Sequence, residues 1–124
     1  MLRYRTIPVT AFAQNCSIVW CDETRDAAVI DPGGDLDRLV DAAKQLGVQL
    51  KAIWLTHAHI DHAGGTAELA AKLDLPIVGP HPGDQFWIDG LPQQSQMFGF
   101  PPAGHFTPTR WLADGDTVQI GRCT

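Results

Sequence analysis

The chain has few basic residues, no long apolar run and too few cysteines for a disulfide framework. Lysine and arginine number 9 against 14 aspartates and glutamates, which gives a formal net charge of −5. Nucleic acids and anionic membrane surfaces are bound through basic patches, so this composition argues against both as partners. Nowhere does the chain reach the roughly 20 apolar residues of a membrane-spanning helix.

The three cysteines, Cys16, Cys21 and Cys123, cannot all pair within one chain. Cys16 and Cys21 flank a strand-like run, where a free cysteine behaves as a small core hydrophobe. The first residues lead into strand-like sequence and not into a charged segment followed by an apolar core, which predicts no signal peptide and a cytoplasmic protein. With 124 residues, of which 44% are hydrophobic, we expect one globular domain at most.

Apolar patterning predicts a mixed α and β organisation. Short apolar or β-branched runs at residues 4–9, 16–21 and 27–30, separated by polar turns, indicate three antiparallel strands. Asp35 can then cap a helix whose apolar residues recur at helical spacing and which Gly47 ends. A near-continuous apolar run at residues 50–55 predicts a buried strand.

The second half of the chain is less regular. We expect a helix over residues 66–73 and a short strand at 76–78. Residues 79–109 are dense in proline, glycine and glutamine, and they predict a long functional loop with one short helical turn near residues 84–88.

The most informative segment follows the strand at residues 50–55. Three of the five histidines lie within six residues of the chain, with an aspartate between the last two. Imidazole nitrogen and carboxylate oxygen are the ligands that zinc prefers, and crowding of this kind is typical of metal sites. The candidate metal ligands are His57, His59, Asp61 and His62.

The spacing of these residues suits a metal site. In an extended segment alternate side chains share a face, so His57 and His59 can point the same way. Asp61 and His62 lie where the chain turns toward the next helix, and Gly64-Gly65 allows the backbone to come close to a metal. The other two histidines, His81 and His105, lie among prolines and glycines, and we interpret them as surface residues.

The arrangement Thr-His-x-His-x-Asp-His at a strand end, followed by two glycines and a helix, resembles the metallo-β-lactamase superfamily. The opening strands and the turn Asp31-Pro32-Gly33-Gly34 resemble its glyoxalase II-like branch, the hydroxyacylglutathione hydrolases. This resemblance implies that His57 and His59 bind one metal, and that Asp61 and His62 bind a second. It implies for Thr56 a position that supports the geometry of the ligands.

The same resemblance implies an α+β fold, the αββα sandwich of the superfamily, of which residues 1–124 supply about the N-terminal half of one domain. The remaining metal ligands are then expected beyond Thr124, and His105 does not replace them. We therefore expect the chain alone to bind metal weakly and to catalyse poorly. Its uncovered sheet predicts association with the missing C-terminal half or with itself.

The function implied is a metal-dependent hydrolase. Two divalent ions, zinc or alternatively iron or manganese, can lower the pKa of a shared water and polarise a carbonyl, so that a metal-bound hydroxide attacks the substrate. The resemblance implies a glutathione thioester as substrate and gives Asp61 a catalytic role as the carboxylate that orients the attacking group. Open alternatives are a lactone or β-lactam hydrolase, a sulfur dioxygenase, and an incomplete fragment that acts only as an assembly partner.

Overall fold

A mixed β-sheet is the central element of the fold. The computed structural model describes residues 2–9, 14–56, 63–97, 106–113, 116–118 and 120. In the order in which they lie side by side, the strands of this sheet are β1 (Leu2–Val9), β2 (Gln14–Cys21), β3 (Asp26–Ile30), β4 (Gln49–Trp54) and β5 (Ile77–Val78). The first three are antiparallel neighbours, as predicted, whereas β4 runs parallel to β3 and β5 parallel to β4.

Four helices are described. They are α1 (Leu36–Leu46), α2 (Thr66–Leu73), α3 (Gln85–Asp89) and α4 (Leu91–Met97), with a 3₁₀ turn at Pro82–Asp84 before α3. The bounds predicted for α1 and α2 are confirmed. Gly47 ends α1 in the left-handed region at φ 71°, where its N–H reaches the carbonyls of Ala43 and Lys44. Asp35 occupies the N-cap position of α1, but its side chain makes no capping hydrogen bond.

The prediction of a long loop at residues 79–109 with one short helical turn is confirmed in part. Helix α3 agrees with the turn predicted near residues 84–88, whereas α4 lies where the sequence predicts loop. Ile88 and Leu91 are almost fully buried in the core, and this burial stabilises helices that the local sequence indicates only weakly. Pro82 and Pro92 are tolerated because both lie in the first turn of their helical segments, where a missing N–H costs no helical hydrogen bond. Residues 98–105 of the predicted loop lie outside the described residues.

The main core lies on one face of the sheet, which we call the helical face. Each described α-helix contributes a fully buried side chain to it, namely Leu39, Leu69, Ile88 and Leu91. These pack against apolar side chains of the strands, among which Ile18, Val29 and Ile53 have no exposed surface. Cys16 and Cys21 are buried free thiols, which confirms their predicted role as core residues.

The opposite face of the sheet, which we call the second face, is also apolar. Val19, Ala28 and Ala52 form a smaller buried cluster there with Ile120, against which Ile30 and Trp54 are partly buried. On β1 the apolar side chains of this face are exposed. Leu2 and Tyr4, which pair with Cys21 and Val19 of β2, are 45% and 73% exposed.

None of the described helices is long and apolar enough to cross a membrane.

Replacing Gly79 with alanine tests how tightly β5 is held at the end of β4. Gly79 has φ 85°, and an added Cβ would lie 2.5 Å from the carbonyl oxygen of Leu55. Gly47 has a similar φ of 71° but no atom within 4 Å of its Cβ position. We expect Gly47→Ala to cost about 1 kcal/mol of unfolding free energy through backbone strain alone, and Gly79→Ala to cost about 1–3 kcal/mol more because of the added clash. Urea unfolding followed by circular dichroism measures both, and equal losses would contradict the tight packing at Gly79.

Candidate metal centre

The residues that flank the histidine motif lie at one edge of the sheet. Asp31 directly follows β3, and Leu55 and Thr56 directly follow β4. Because β3 and β4 are parallel, their carboxyl ends meet at the same edge, which is where open α/β sheets place their binding sites. The Asp31 N–H donates to the carbonyl of Trp54 at 2.9 Å, so the chain after β3 stays attached to the end of β4.

The carboxylate of Asp31 holds Thr56 at two atoms. The Thr56 N–H donates to Asp31 Oδ1 at 2.8 Å, and the Thr56 hydroxyl donates to Oδ2 at 2.5 Å. Asp31 is only 4% exposed. A buried carboxylate is stable only when it is hydrogen-bonded, and hydrogen bonds to an ionised acceptor are the stronger kind. The pair therefore defines the backbone position directly before His57.

The backbone of the same turn contacts the chain on the other side of the motif. The Gly65 N–H, directly before α2, donates to the carbonyl of Pro32 at 2.9 Å. A Cβ on Gly65 would lie 2.6 Å from that carbonyl oxygen and 2.7 Å from Leu36 Cδ2. Glycine is required here by the close approach of two backbones.

The four predicted ligands, His57, His59, Asp61 and His62, lie outside the described residues. Within the described part of the chain, no three His, Cys, Asp or Glu side chains come together as a metal site. The chemistry of the donor set nevertheless fits a divalent metal, since three imidazoles and a carboxylate follow within six residues of the anchored Thr56.

Of the two histidines outside the motif, His81 lies within the described part of the chain. The Nδ1 atom of His81 accepts a hydrogen bond from the Gly83 N–H at 3.0 Å, and the side chain is exposed. This confirms its interpretation as a satisfied surface residue. His105 lies outside the described residues.

Cys16 is a buried thiol close to Asp31. Burial and, to a smaller degree, the negative charge of Asp31 raise the pKa of the Cys16 thiol from 9.0 to about 12. A thiol with so high a pKa is not ionised near neutrality, so Cys16 is not a nucleophile. Cys16 is part of the main apolar core.

The described residues form a mixed sheet with helices on one face, and in the sequence a histidine-rich motif directly follows Thr56 at the end of β4. The family model of the metallo-beta-lactamase superfamily matches residues 9–122. The chain belongs to that superfamily, and the family and fold expected from the sequence are confirmed.

The chain is similar to a protein named hydroxyacylglutathione hydrolase and to two solved structures. It is 46% identical over 115 residues to hydroxyacylglutathione hydrolase GloC of Haemophilus influenzae, which covers 92% of this chain and 54% of that protein. Among solved structures, it matches the protein TTHA1623 in a di-iron-bound form at TM-score 0.81 and 30% identity, over 92% of this chain and 56% of the other. It matches the B3 metallo-beta-lactamase BLEG-1 at TM-score 0.80 and 26% identity, over 96% and 57% of the two chains. The chain therefore spans about half the length of these relatives.

Sequence reasoning missed two residues of this edge. The sequence indicates Asp31 only as part of an acidic turn, and Gly65 only as a glycine that allows the backbone to come close to a metal. An acidic residue that directly follows a buried strand and precedes Pro-Gly-Gly was the available signal for Asp31. The contact of Gly65 with Pro32 joins residues that are distant in sequence, and no local pattern indicates it.

The raised pKa of Cys16 makes stability fall at alkaline pH. Because the folded pKa of about 12 exceeds the ordinary value of 9.0, the neutral thiol is favoured in the folded state. The neutral Cys16 thiol contributes fully to the free energy of unfolding below pH 9, and this contribution is lost as the pH rises from 9 toward 12. At pH 10 the loss is about 1 kcal/mol. We expect the difference in unfolding free energy between the wild type and Cys16→Ala to shrink by this amount between pH 7.5 and pH 10. A difference independent of pH would show that the Cys16 thiol ionises as readily folded as unfolded.

Proposed function

We propose that residues 1–124 form the N-terminal part of a single metal-dependent hydrolase domain whose substrate is a glutathione thioester. The observation that carries this proposal is the 46% identity, over 92% of the chain, to a protein named hydroxyacylglutathione hydrolase. The histidine motif that directly follows the anchored Thr56 supports it from the chain itself.

The metal ligands in this proposal are His57 and His59 for one ion, and Asp61 and His62 for the other. Bound divalent ions lower the pKa of water and polarise the carbonyl under attack. Asp61 combines two tasks, since its carboxylate binds metal and can also accept a proton or orient the attacking group. A thiolate is a good leaving group, so a thioester needs little acid assistance.

Zinc is the metal that we favour. The donor set of imidazole and carboxylate suits zinc, iron and manganese alike. One structural relative at 30% identity is described in a di-iron-bound form, which makes iron the first alternative.

The second face of the sheet supports the view that the domain is completed by further chain. The described helices all bury side chains on the helical face, whereas Leu2 and Tyr4 leave an apolar edge of the second face exposed. The relatives are about twice as long as this chain. We propose that the remaining half of the domain covers this face and adds the metal ligands that this chain lacks, and that self-association replaces it when it is absent.

A β-lactam hydrolase is the second candidate, because BLEG-1 resembles this chain at 26% identity and TM-score 0.80. A lactone hydrolase, a sulfur dioxygenase and a non-catalytic assembly partner remain weaker candidates, and no contact among the described residues favours them.

Metal analysis tests the ligand assignment. We expect the 124-residue chain to retain zinc weakly, and a chimera in which the rest of the Haemophilus influenzae relative follows residue 124 to hold about two equivalents. His59→Ala should lower the metal content of the chimera, because one site loses an imidazole ligand.

The matched control is His81→Ala, which removes an exposed histidine that hydrogen-bonds only within its own turn. Its metal content should equal that of the unmodified chimera. A chimera that takes up no zinc, iron or manganese would contradict the metal-site assignment.

Substrate choice is tested on the same chimera. We expect hydrolysis of S-lactoylglutathione to exceed that of a β-lactam or a lactone, and Asp61→Asn to lower kcat/KM by at least about 100-fold while circular dichroism stays unchanged. A preference for the β-lactam would replace the thioester assignment with the second candidate. Because the other half of the chimera comes from a relative, the same panel is run on that relative to show which preferences this chain contributes.

A further inference from the structure

The two edges of the described sheet differ in how their backbone groups are paired. The edge at β5 is covered, because the N–H groups of Thr109 and Arg110 donate to the Ile77 carbonyl at 2.7 and 3.1 Å. The other edge is β1, whose eight residues all pair with β2, and no described residue pairs with its outer side. In an antiparallel pair, alternate residues point their N–H and C=O groups away from the partner strand. The outer side of β1 therefore presents a row of backbone donors and acceptors.

The side chains of β1 give this edge a positive charge. Residues 2–9 include Arg3 and Arg5 but no acidic residue, whereas the whole chain has a formal net charge of −5. Both arginines are exposed on the helical face, since they pair with core residues of β2. Arg3 Nε donates to Asp22 Oδ2 at 3.3 Å, and Arg5 forms no ion pair with a described residue. Because an exposed ion pair is weak, both guanidinium groups can bind a carboxylate from outside the chain.

The other face of β1 is apolar. Leu2 and Tyr4 lie on the second face and are 45% and 73% exposed. A cleft of about 360 Å³ at the start of the strand is lined by Leu2, Arg3, Tyr4 and Trp20. Successive side chains of a strand point to opposite faces of the sheet. A strand added beside β1 would therefore place every second side chain near the arginines and the others near Leu2 and Tyr4.

A second copy of the chain fits this edge poorly. In an antiparallel pair of β1 strands that is centred on Tyr4 with the helical faces aligned, Arg3 of one copy would lie opposite Arg5 of the other. Like charges directly opposite one another destabilise a sheet. Pro8 also lacks an N–H, which shortens the part of the edge that can pair. Charged residues and proline on an edge strand are the features by which natural sheets resist pairing with their own copies.

We propose that the outer edge of β1 is a docking site for an extended acidic segment of another protein, which adds a strand to the sheet. Backbone hydrogen bonds to residues 2–7 supply the affinity, as in other cases of strand addition. Two carboxylates at alternate positions pair with Arg3 and Arg5, and the apolar side chains next to them contact Leu2 and Tyr4. The segment therefore alternates acidic and apolar residues. This inference depends neither on the proposed metal site nor on the proposed substrate.

The probe is a fluorescently labelled peptide in which glutamate and valine alternate, and fluorescence anisotropy measures its binding to the 124-residue chain. Arg3→Glu with Arg5→Glu should weaken binding by about 10-fold or more, because two attractive pairs become repulsive. The matched control is Arg38→Glu with Lys51→Glu, which makes the same change of net charge at exposed residues outside β1. Its affinity should stay within about twofold of the wild type, because solvent and salt screen distant charges. Circular dichroism checks that both double variants are folded.

Charge and strand addition are separated by two changes to the peptide. A peptide with lysine in place of glutamate should bind the Arg3→Glu and Arg5→Glu double variant better than the wild type. N-methylation of every residue of the glutamate peptide removes its backbone donors and keeps its charges, and we expect this peptide to lose binding. The unmodified peptide should slow hydrogen exchange at amides of β1. It should also bind the chimera that continues with the Haemophilus influenzae relative.

Each contrary result overturns the proposal. Equal binding of the glutamate and lysine peptides, or wild-type affinity in the Arg3→Glu and Arg5→Glu double variant, would exclude selection by charge at β1. Undiminished binding of the methylated peptide would exclude strand addition. A dimer by light scattering whose β1 amides are protected without peptide would assign the edge to a second copy. Loss of peptide binding in the chimera would show that the rest of the domain covers the edge.

Discussion

One buried carboxylate holds together the carboxyl ends of the two central parallel strands. Asp31 lies where β3 ends, and its carboxylate, at 4% exposure, is held by hydrogen bonds that include the two donated by Thr56. Those bonds join the ends of two parallel strands and bring the start of the histidine motif to a defined place. The parallel register of β3 and β4 is therefore a requirement of the site, since an antiparallel pair would place Thr56 at the opposite edge of the sheet.

The distribution of helices explains why the chain has an apolar surface on both sides of its sheet. Every described α-helix buries a side chain on the helical face, where Leu39 and Leu69 cover the parallel strands. Among the described residues, the second face carries the small cluster around Ala28 and Ala52, with Trp54 partly buried against it. A sheet that is apolar on both faces is suited to a layer on each side, which agrees with relatives about twice as long.

The assignment of the family and the proposal of a substrate rest on different kinds of observation. Membership of the superfamily rests on a family model that matches residues 9–122 and on a fold shared with a solved structure over 96% of the chain. The proposed substrate rests on similarity to a protein named hydroxyacylglutathione hydrolase, of which this chain covers 54%. One fold carries many chemistries, because the residues that select a substrate are few and lie in parts of the structure that vary independently of the sheet.

The sequence alone determined the elements whose signals are local. The helix at residues 36–46 follows from apolar spacing and a glycine stop, the opening strands from short apolar runs, and the candidate ligands from the crowding of His57, His59, Asp61 and His62. Tertiary structure alone decided the rest. Helices α3 and α4 form because Ile88 and Leu91 are buried by distant parts of the chain. Asp31 and Gly65 gain their importance from partners 25 and more residues away, and contacts at that separation arise from the packing of the sheet and leave no periodic trace in the sequence.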